Sequence, residues 1–127
     1  MRPFACDMVL IENGKILLIR RAREPFKGEW ATPGGRIEDN ETAEECARRE
    51  MKEETGLDIE IIRLIGLYSD PNRDPRGIIA AAFLVKRLGG QVKAGDDAGE
   101  ARWFDLSALP PLCTDHGKIV EDALKKL

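Results

Sequence analysis

Histidine occurs once in this chain, as His116, and cysteine three times, as Cys6, Cys46 and Cys113. A zinc site needs several nitrogen or sulfur ligands at close spacing, so a single histidine argues against a histidine-based centre. The cysteines are odd in number and share no metal-ligand spacing. They read as reduced thiols rather than disulfides, which points to a cytoplasmic protein. Long apolar runs are missing too. Nothing approaches the roughly 20 residues of a membrane-spanning helix, and residues 1–12 carry a single basic residue before a short apolar segment, without the long h-region of a secretory leader. Excess positive charge is also absent. With 23 acidic against 20 basic side chains the net charge is −3, which leaves no general field for nucleic acid and favours a small-molecule partner. No repeat, low-complexity tract or linker divides the 127 residues. They read as one domain, residues 1–127, whose 43% hydrophobic content is enough for a real core.

What the chain does have is an acidic stretch, residues 35–57, GRIEDNETAEECARREMKEETGL. Thr42, followed three residues later by Glu45, is a capping box and predicts a helix start. Thr55-Gly56-Leu57 predicts its end, because glycine accepts the left-handed conformation after a last turn and the next apolar residue folds back. Winding residues 43–55 at about 100° per residue gathers Ala43, Cys46, Ala47 and Met51 on one face. Glu50, Glu53 and Glu54 fall on or beside that face, while Glu45, Arg48 and Lys52 point away. Carboxylates about 4 Å apart in a medium of intermediate dielectric repel by ~4 kcal/mol, so the cluster asks for a cation. Oxygen ligands suit a hard divalent ion, and Mg2+ in particular is held by a few carboxylates, several waters and a substrate's phosphates. Arg49 is placed to pair with Glu50, or with Glu53 at i, i+4, and so to orient a ligand. The alternative is a salt-bridged surface helix, the ordinary meaning of a run such as RREMKEE.

Gly35, Glu41, Arg49, Glu50, Glu53, Glu54 and Gly56, with apolar Met51 and Leu57, resemble the box of the Nudix hydrolases at every fixed position and spacing. The box covers 23 of 127 residues, and the length and flanking pattern suit a whole Nudix domain. The resemblance implies an α/β protein, an α/β/α sandwich around a mixed β-sheet. It implies hydrolysis at a diphosphate with Mg2+ or Mn2+ held by Glu50, Glu53 and Glu54. It further implies that Gly35 offers its carbonyl to the metal. An acidic residue just before a late aromatic strand then serves as ligand or general base, which points to Glu100 first and Asp97 second. Glu50 is the other candidate for the base.

Along the rest of the chain, residues 3–12 predict a strand, Asn13-Gly14 a hairpin turn and residues 15–21 the returning strand. Residues 16–19 are apolar throughout, as in a strand covered on both faces. Arg21, Arg23 and Phe26 belong to a basic and aromatic segment that leads toward the carboxylates and is suited to meet phosphates and stack on a base. The alternative is a solvated strand end with Trp30 as a core plug. Gly34 and Gly35 let the backbone approach other groups closely. Residues 36–38 predict a short strand, 58–68 a long one and 77–87 a buried one, with a turn at 88–91. Residues 69–77 read as a double turn, in which Arg73 and Arg76 have the fork geometry for phosphate. This loop resembles one in small ADP-ribose pyrophosphatases, although Ile78 stands where such relatives often carry histidine. Residues 95–100 read as an acidic loop before a strand at 101–104. A last helix over 115–127 places Ile119, Ala123 and Leu127 on one packed stripe, with His116 at its start as an exposed or capping residue.

These readings converge on hydrolysis of a nucleoside diphosphate linked to another group. ADP-ribose, split to AMP and ribose 5-phosphate, is the preferred substrate. A nucleoside triphosphate pyrophosphohydrolase, acting on oxidised triphosphates among others, is the alternative enzyme, and a dinucleoside polyphosphate hydrolase rests on Tyr68 and the two loop arginines alone. A sensor that binds a nucleotide sugar without cleaving it is the alternative outside catalysis. Such sensors usually show a damaged box or an added DNA-binding domain, and neither is visible. Homodimerisation through the first strands is common in ADP-ribose relatives and stands as an expectation only.

Overall fold

The computed structural model describes residues 1–94 and 98–127. In chain order the elements are β1 (Phe4–Glu12), β2 (Lys15–Arg21), β3 (Trp30–Ala31), β4 (Gly34–Arg36), α1 (Ala43–Thr55), β5 (Leu57–Tyr68), β6 (Ile79–Gly90), β7 (Ala98–Asp105), a 3-10 turn at Leu106–Ala108, and α2 (His116–Leu124). The strands run β3-β2-β1-β6-β5, with β4 joined to β1 and β7 to β2. β1 and β6 are parallel and the other pairs antiparallel, so the expected mixed sheet is the one that forms.

Alternation along the strands builds two cores. On β1, Cys6, Met8 and Leu10 meet Cys46, Ala47 and Met51 of α1, while Val9 looks the other way, to Ile119, Val120 and Ala123 of α2. β6 repeats the partition, with Ala81, Phe83 and Val85 on the first side and Ala80, Ala82 and Leu84 on the second. Strands covered on both faces read as nearly continuous apolar runs for this reason. The sheet lies between two helices, the α/β/α sandwich expected from the sequence. No helix among the described residues is long and apolar enough to cross a membrane, and the three cysteines are free and buried.

The local signals form as read. Asn13 and Gly14 take φ of 53° and 75°, as a primed hairpin turn demands. The Glu45 amide donates to Thr42 Oγ1, and the Glu45 carboxylate accepts from the Thr42 amide at 2.9 Å. Gly56 closes α1 in the left-handed region at φ 78°. Past the hairpin turn, however, β1 and β2 pair only at Ile11 with Ile16 and Glu12 with Lys15. β1 then takes β4 and β6 as neighbours and β2 takes β3 and β7. The hairpin opens like a V, and Ala5 and Asp7 of β1 face Ile19 and Arg21 of β2 across a cavity.

Several boundaries differ from the sequence reading. The short strand is β4, not residues 36–38, because the two glycines lie flat against β1, Gly34 opposite Asp7 and Gly35 opposite Cys6. β6 continues through Gly89 and Gly90, paired with Asp58 and Leu57, where a turn was expected. Ala98 and Glu100 are strand rather than loop, in register with Arg21 and Arg20. α2 ends at Leu124, and Leu127 is 72% exposed, so Val120 takes its place in the packed stripe.

Thr42→Ala removes the hydroxyl side of the capping box and is expected to cost about 1 kcal/mol. A urea titration checks it: the midpoint falls at unchanged slope, and an unmoved midpoint would mean the cap contributes nothing.

Candidate active site

Position 35 is a glycine against which the Glu50 carboxylate lies directly. A Cβ there would lie 2.2 Å from Cδ and 2.3 Å from Oε2 of Glu50, so only bare backbone lets that carboxylate rest against β4. One residue earlier, the Gly34 amide donates to Glu54 Oε1 at 2.7 Å. α1 presents both glutamates on one side because four residues span about one turn, and Cys46, Ala47 and Met51 press that side onto the sheet. Glu54 is buried, 5% exposed. Glu53 departs from the expected inward cluster: its side chain is 58% exposed, about 100° around the helix from its neighbour, and it stays at the rim. Gly34, Gly35, Glu50 and Glu54 line a cleft of about 460 Å3 together with Arg21, Arg23, Arg36 and Arg49.

Arg49 ties the carboxylates together. Its Nε and Nη2 fork onto Glu41 at 2.9 and 2.6 Å, and Nη1 donates to Glu50 Oε1 at 2.6 Å and Glu53 Oε2 at 3.2 Å. Nη2 also reaches the Arg36 carbonyl at 3.0 Å. The hydrogen bond from Arg49 is the main cause that holds Glu41 down to about 2, and Glu41 in turn raises Arg49 above its ordinary value. The sequence reading placed Arg49 beside Glu50 and Glu53. That Glu41 is its strongest partner emerges only from the fold.

The donors that face the cleft are hard oxygens. They are the carboxylates of Glu50 and Glu54, with the Gly35 carbonyl, which accepts from the Cys46 thiol at 3.6 Å, beside them. Among the described residues, no three His, Cys, Asp or Glu side chains converge as a ready-made metal cage. A hard divalent ion does not require one, since Mg2+ keeps several waters and takes phosphate oxygens of the substrate as ligands. The donor set therefore fits Mg2+ or Mn2+ and does not fit a soft, thiolate-seeking ion.

A second, smaller cavity of about 90 Å3 lies in the opening between β1 and β2 and shares Arg21, Gly34, Gly35, Arg36 and Glu54 with the cleft. Asp7 and His116 line it, 7% and 9% exposed. Burial pushes the Asp7 carboxyl above its ordinary range, against the pull of His116 and Arg73. The Thr32 amide donates to His116 Nδ1 at 3.1 Å, which leaves the ring proton on Nε2, and Nε2 faces Asp7 Oδ2 at 3.9 Å. His116 is thus buried under Thr32, with Asp115 in the capping position, and is not the exposed or capping residue expected at the helix start. The only sequence signal for this pair was a lone carboxylate inside the apolar run of β1.

Arg73 and Arg76 line this chamber, already forked by carboxylates. Arg73 holds Asp115 at 2.8 and 2.6 Å and the Ile78 carbonyl at 3.0 Å, and Arg76 holds Asp74 at 3.0 and 2.7 Å. The double turn between β5 and β6 is real: the Arg73 amide donates to the Asp70 carbonyl and the Gly77 amide to the Asp74 carbonyl. Phe26 lines neither cavity; it packs with Ile19, Ala31 and Cys113 under the Arg76 guanidinium, 5.8 Å away. Trp30 packs edge-on against Phe104 at 4.7 Å between ring centroids. Glu100 lines neither cavity and stands 3.6 Å from Arg102 on β7. Asp97 lies outside the described residues.

Among known proteins, the family model described as NUDIX domain matches residues 1–123. An ADP-ribose pyrophosphatase of Methanocaldococcus jannaschii is 51% identical over 122 residues, 95% of this chain and 72% of that protein. A solved ADP-ribose pyrophosphatase from Streptococcus suis superposes with a TM-score of 0.81 at 26% identity, covering 98% of this chain and 89% of that one. A bifunctional NMN adenylyltransferase/ADP ribose pyrophosphatase from Francisella tularensis, complexed with AMP and a Mn ion, gives 0.86 at 27% identity, covering 99% of this chain and 42% of that one. The chain spans only 46%, 59% and 26% of the length of further curated relatives.

The Arg49 pairing has a pH signature. Glu41, held at about 2, lends stability that is present above the ordinary carboxylate range and lost as pH falls toward that value. Glu41→Gln is therefore expected to destabilise the protein at about pH 7 and progressively less at about pH 4 and 3. Urea midpoints at the three pH values test this, and a constant loss would assign the effect to shape rather than charge.

Proposed function

The chain belongs to the Nudix family, and from that premise we propose that it is a divalent-metal-dependent hydrolase that splits ADP-ribose into AMP and ribose 5-phosphate. The observation that carries the reading is the meeting, in one cleft, of the Glu50 and Glu54 carboxylates with the guanidinium groups of Arg21, Arg23 and Arg36. Carboxylates alone would repel a diphosphate and arginines alone would bind it without acting on it. The likeness to the archaeal ADP-ribose pyrophosphatase supports the substrate.

Arg21, Arg23 and Arg36 bind the diphosphate oxygens as charge-assisted donors. Glu50, Glu54 and the Gly35 carbonyl are the residues that hold the divalent ion. When bound, that ion supplies neutralisation of the diphosphate charge and a water of lowered pKa. Glu54 is kept in place by the Gly34 amide and Glu50 by Arg49 on Oε1. The Glu50 carboxylate accepts the proton of the water that attacks phosphorus, and the bridging oxygen departs with the opposite half of the substrate. Glu53 at the rim and Arg49 behind Glu50 position these groups. Glu100, beside Arg102 and away from both cavities, has no part in this scheme.

The deciding experiment is hydrolysis by the purified protein with Mg2+ or Mn2+, comparing ADP-ribose, nucleoside triphosphates and a dinucleoside tetraphosphate at equal concentration, with products separated. Release of AMP from ADP-ribose is the expected result. Pyrophosphate release from a triphosphate would move the activity to clearance of nucleotides, and tight binding of ADP-ribose without turnover would make the protein a sensor. Glu50→Gln and Glu54→Gln are expected to lower kcat by about 10²-fold or more, and Glu53→Gln by less. Undiminished turnover in the first two, with folding intact, would remove the helix from the chemistry.

A further inference from the structure

We propose that the chamber between β1 and β2 is the subsite for a terminal polyhydroxylated sugar, and that Asp7 is the residue that reads its hydroxyls. This rests on the function proposed above and assigns the two halves of the substrate to the two cavities. Asp7 is 7% exposed, yet no described residue donates a hydrogen bond to it. His116 Nε2, at 3.9 Å, is beyond hydrogen-bond reach. Every fully enclosed side-chain nitrogen or oxygen among the described residues has a partner, so the Asp7 oxygens open onto the cavity they line. A buried carboxylate without donors is costly, and a ligand that brings donors relieves the cost.

The rest of the chamber selects the ligand. Phosphate is a poor fit beside Asp7: the guanidinium groups of Arg73 and Arg76 are already held by Asp115 and Asp74, and Arg21 and Arg36, which line both cavities, serve the diphosphate in the cleft. A base is a poor fit, because no Phe, Tyr or Trp lines the cavity and base binding draws on aromatic platforms. Vicinal sugar hydroxyls are neutral, both can donate to one carboxylate, and His116 Nε2–H can donate to a hydroxyl oxygen. Size then sets the orientation. A volume of about 90 Å3 takes one terminal ring, whereas the nucleoside ribose would bring its base with it. The terminal ribose of ADP-ribose enters beside Gly34, which touches Asp7 on the chamber side and Glu54 on the cleft side. The diphosphate is left in the cleft, with Arg21 at the junction of the two cavities.

The test crosses two proteins with two substrates: wild type and Asp7→Asn, each with ADP-ribose and with an ADP ester of pentanol, which lacks the hydroxyls. Melting temperature controls for folding. Wild type is expected to favour ADP-ribose in kcat/KM by about tenfold or more, and Asp7→Asn to lose most of that preference, mainly through a raised KM for ADP-ribose. A second readout needs no variant: ribose 5-phosphate should inhibit the wild type at a concentration about tenfold lower than pentyl phosphate does. Equal preference in both proteins, or a wild type indifferent to the hydroxyls while it cleaves ADP-ribose, overturns the assignment of the chamber alone. A wild type that does not cleave ADP-ribose overturns the parent function and the assignment with it.

Discussion

A close approach of backbone to carboxylate is the constraint on which the rest of the site depends. β4 presses two glycines between β1 and α1, and a single Cβ at either would collide with a functional group. At Gly35 the collision is with Glu50, and at Gly34 it is with Asp7 Oδ1 at 2.4 Å and the Cys6 carbonyl at 2.5 Å. Because the strand is this thin, the Gly34 amide can hold Glu54 on the α1 side while Asp7 lies against the same residue on the other. Cleft and chamber are two sides of one stretch of side-chain-free backbone.

Charge is the second constraint. Glutamates packed this closely repel strongly when water is partly excluded, and the fold answers with Arg49, whose guanidinium contacts Glu41, Glu50 and Glu53 together. The arginine orients Glu50 from behind, and Arg21, Arg23 and Arg36 line the same cleft. The same economy appears in the chamber wall, where Asp115 and Asp74 hold Arg73 and Arg76 and leave Asp7 as the carboxylate open to a ligand.

Much of this was legible in the sequence because its causes are local. A hydroxyl three residues before a glutamate caps a helix, a glycine ends it, and a period of 3.6 puts Glu50 and Glu54 on the side that holds Cys46, Ala47 and Met51. The spaced glycines and glutamates also identified the family, and the mixed sheet between helices followed. The end of β6 was misread where Gly89 and Gly90 were taken as a turn, and β4 was placed two residues late, because pairing with a neighbouring strand outweighed the weak intrinsic preference of glycine.

The sequence by itself determined the box helix, its caps, the hairpin turn and the cluster of hard oxygen donors, since each follows from residues a few positions apart. Only the tertiary structure decided that β1 and β2 part company beyond their turn, that His116 is buried beside Asp7, that Glu53 points outward, and that Arg73 is held by Asp115. Those outcomes depend on which strands become neighbours and which helix covers them. Contacts between residues nearly a chain length apart leave no periodic trace in either segment, so the chamber came into view only when the sheet was closed.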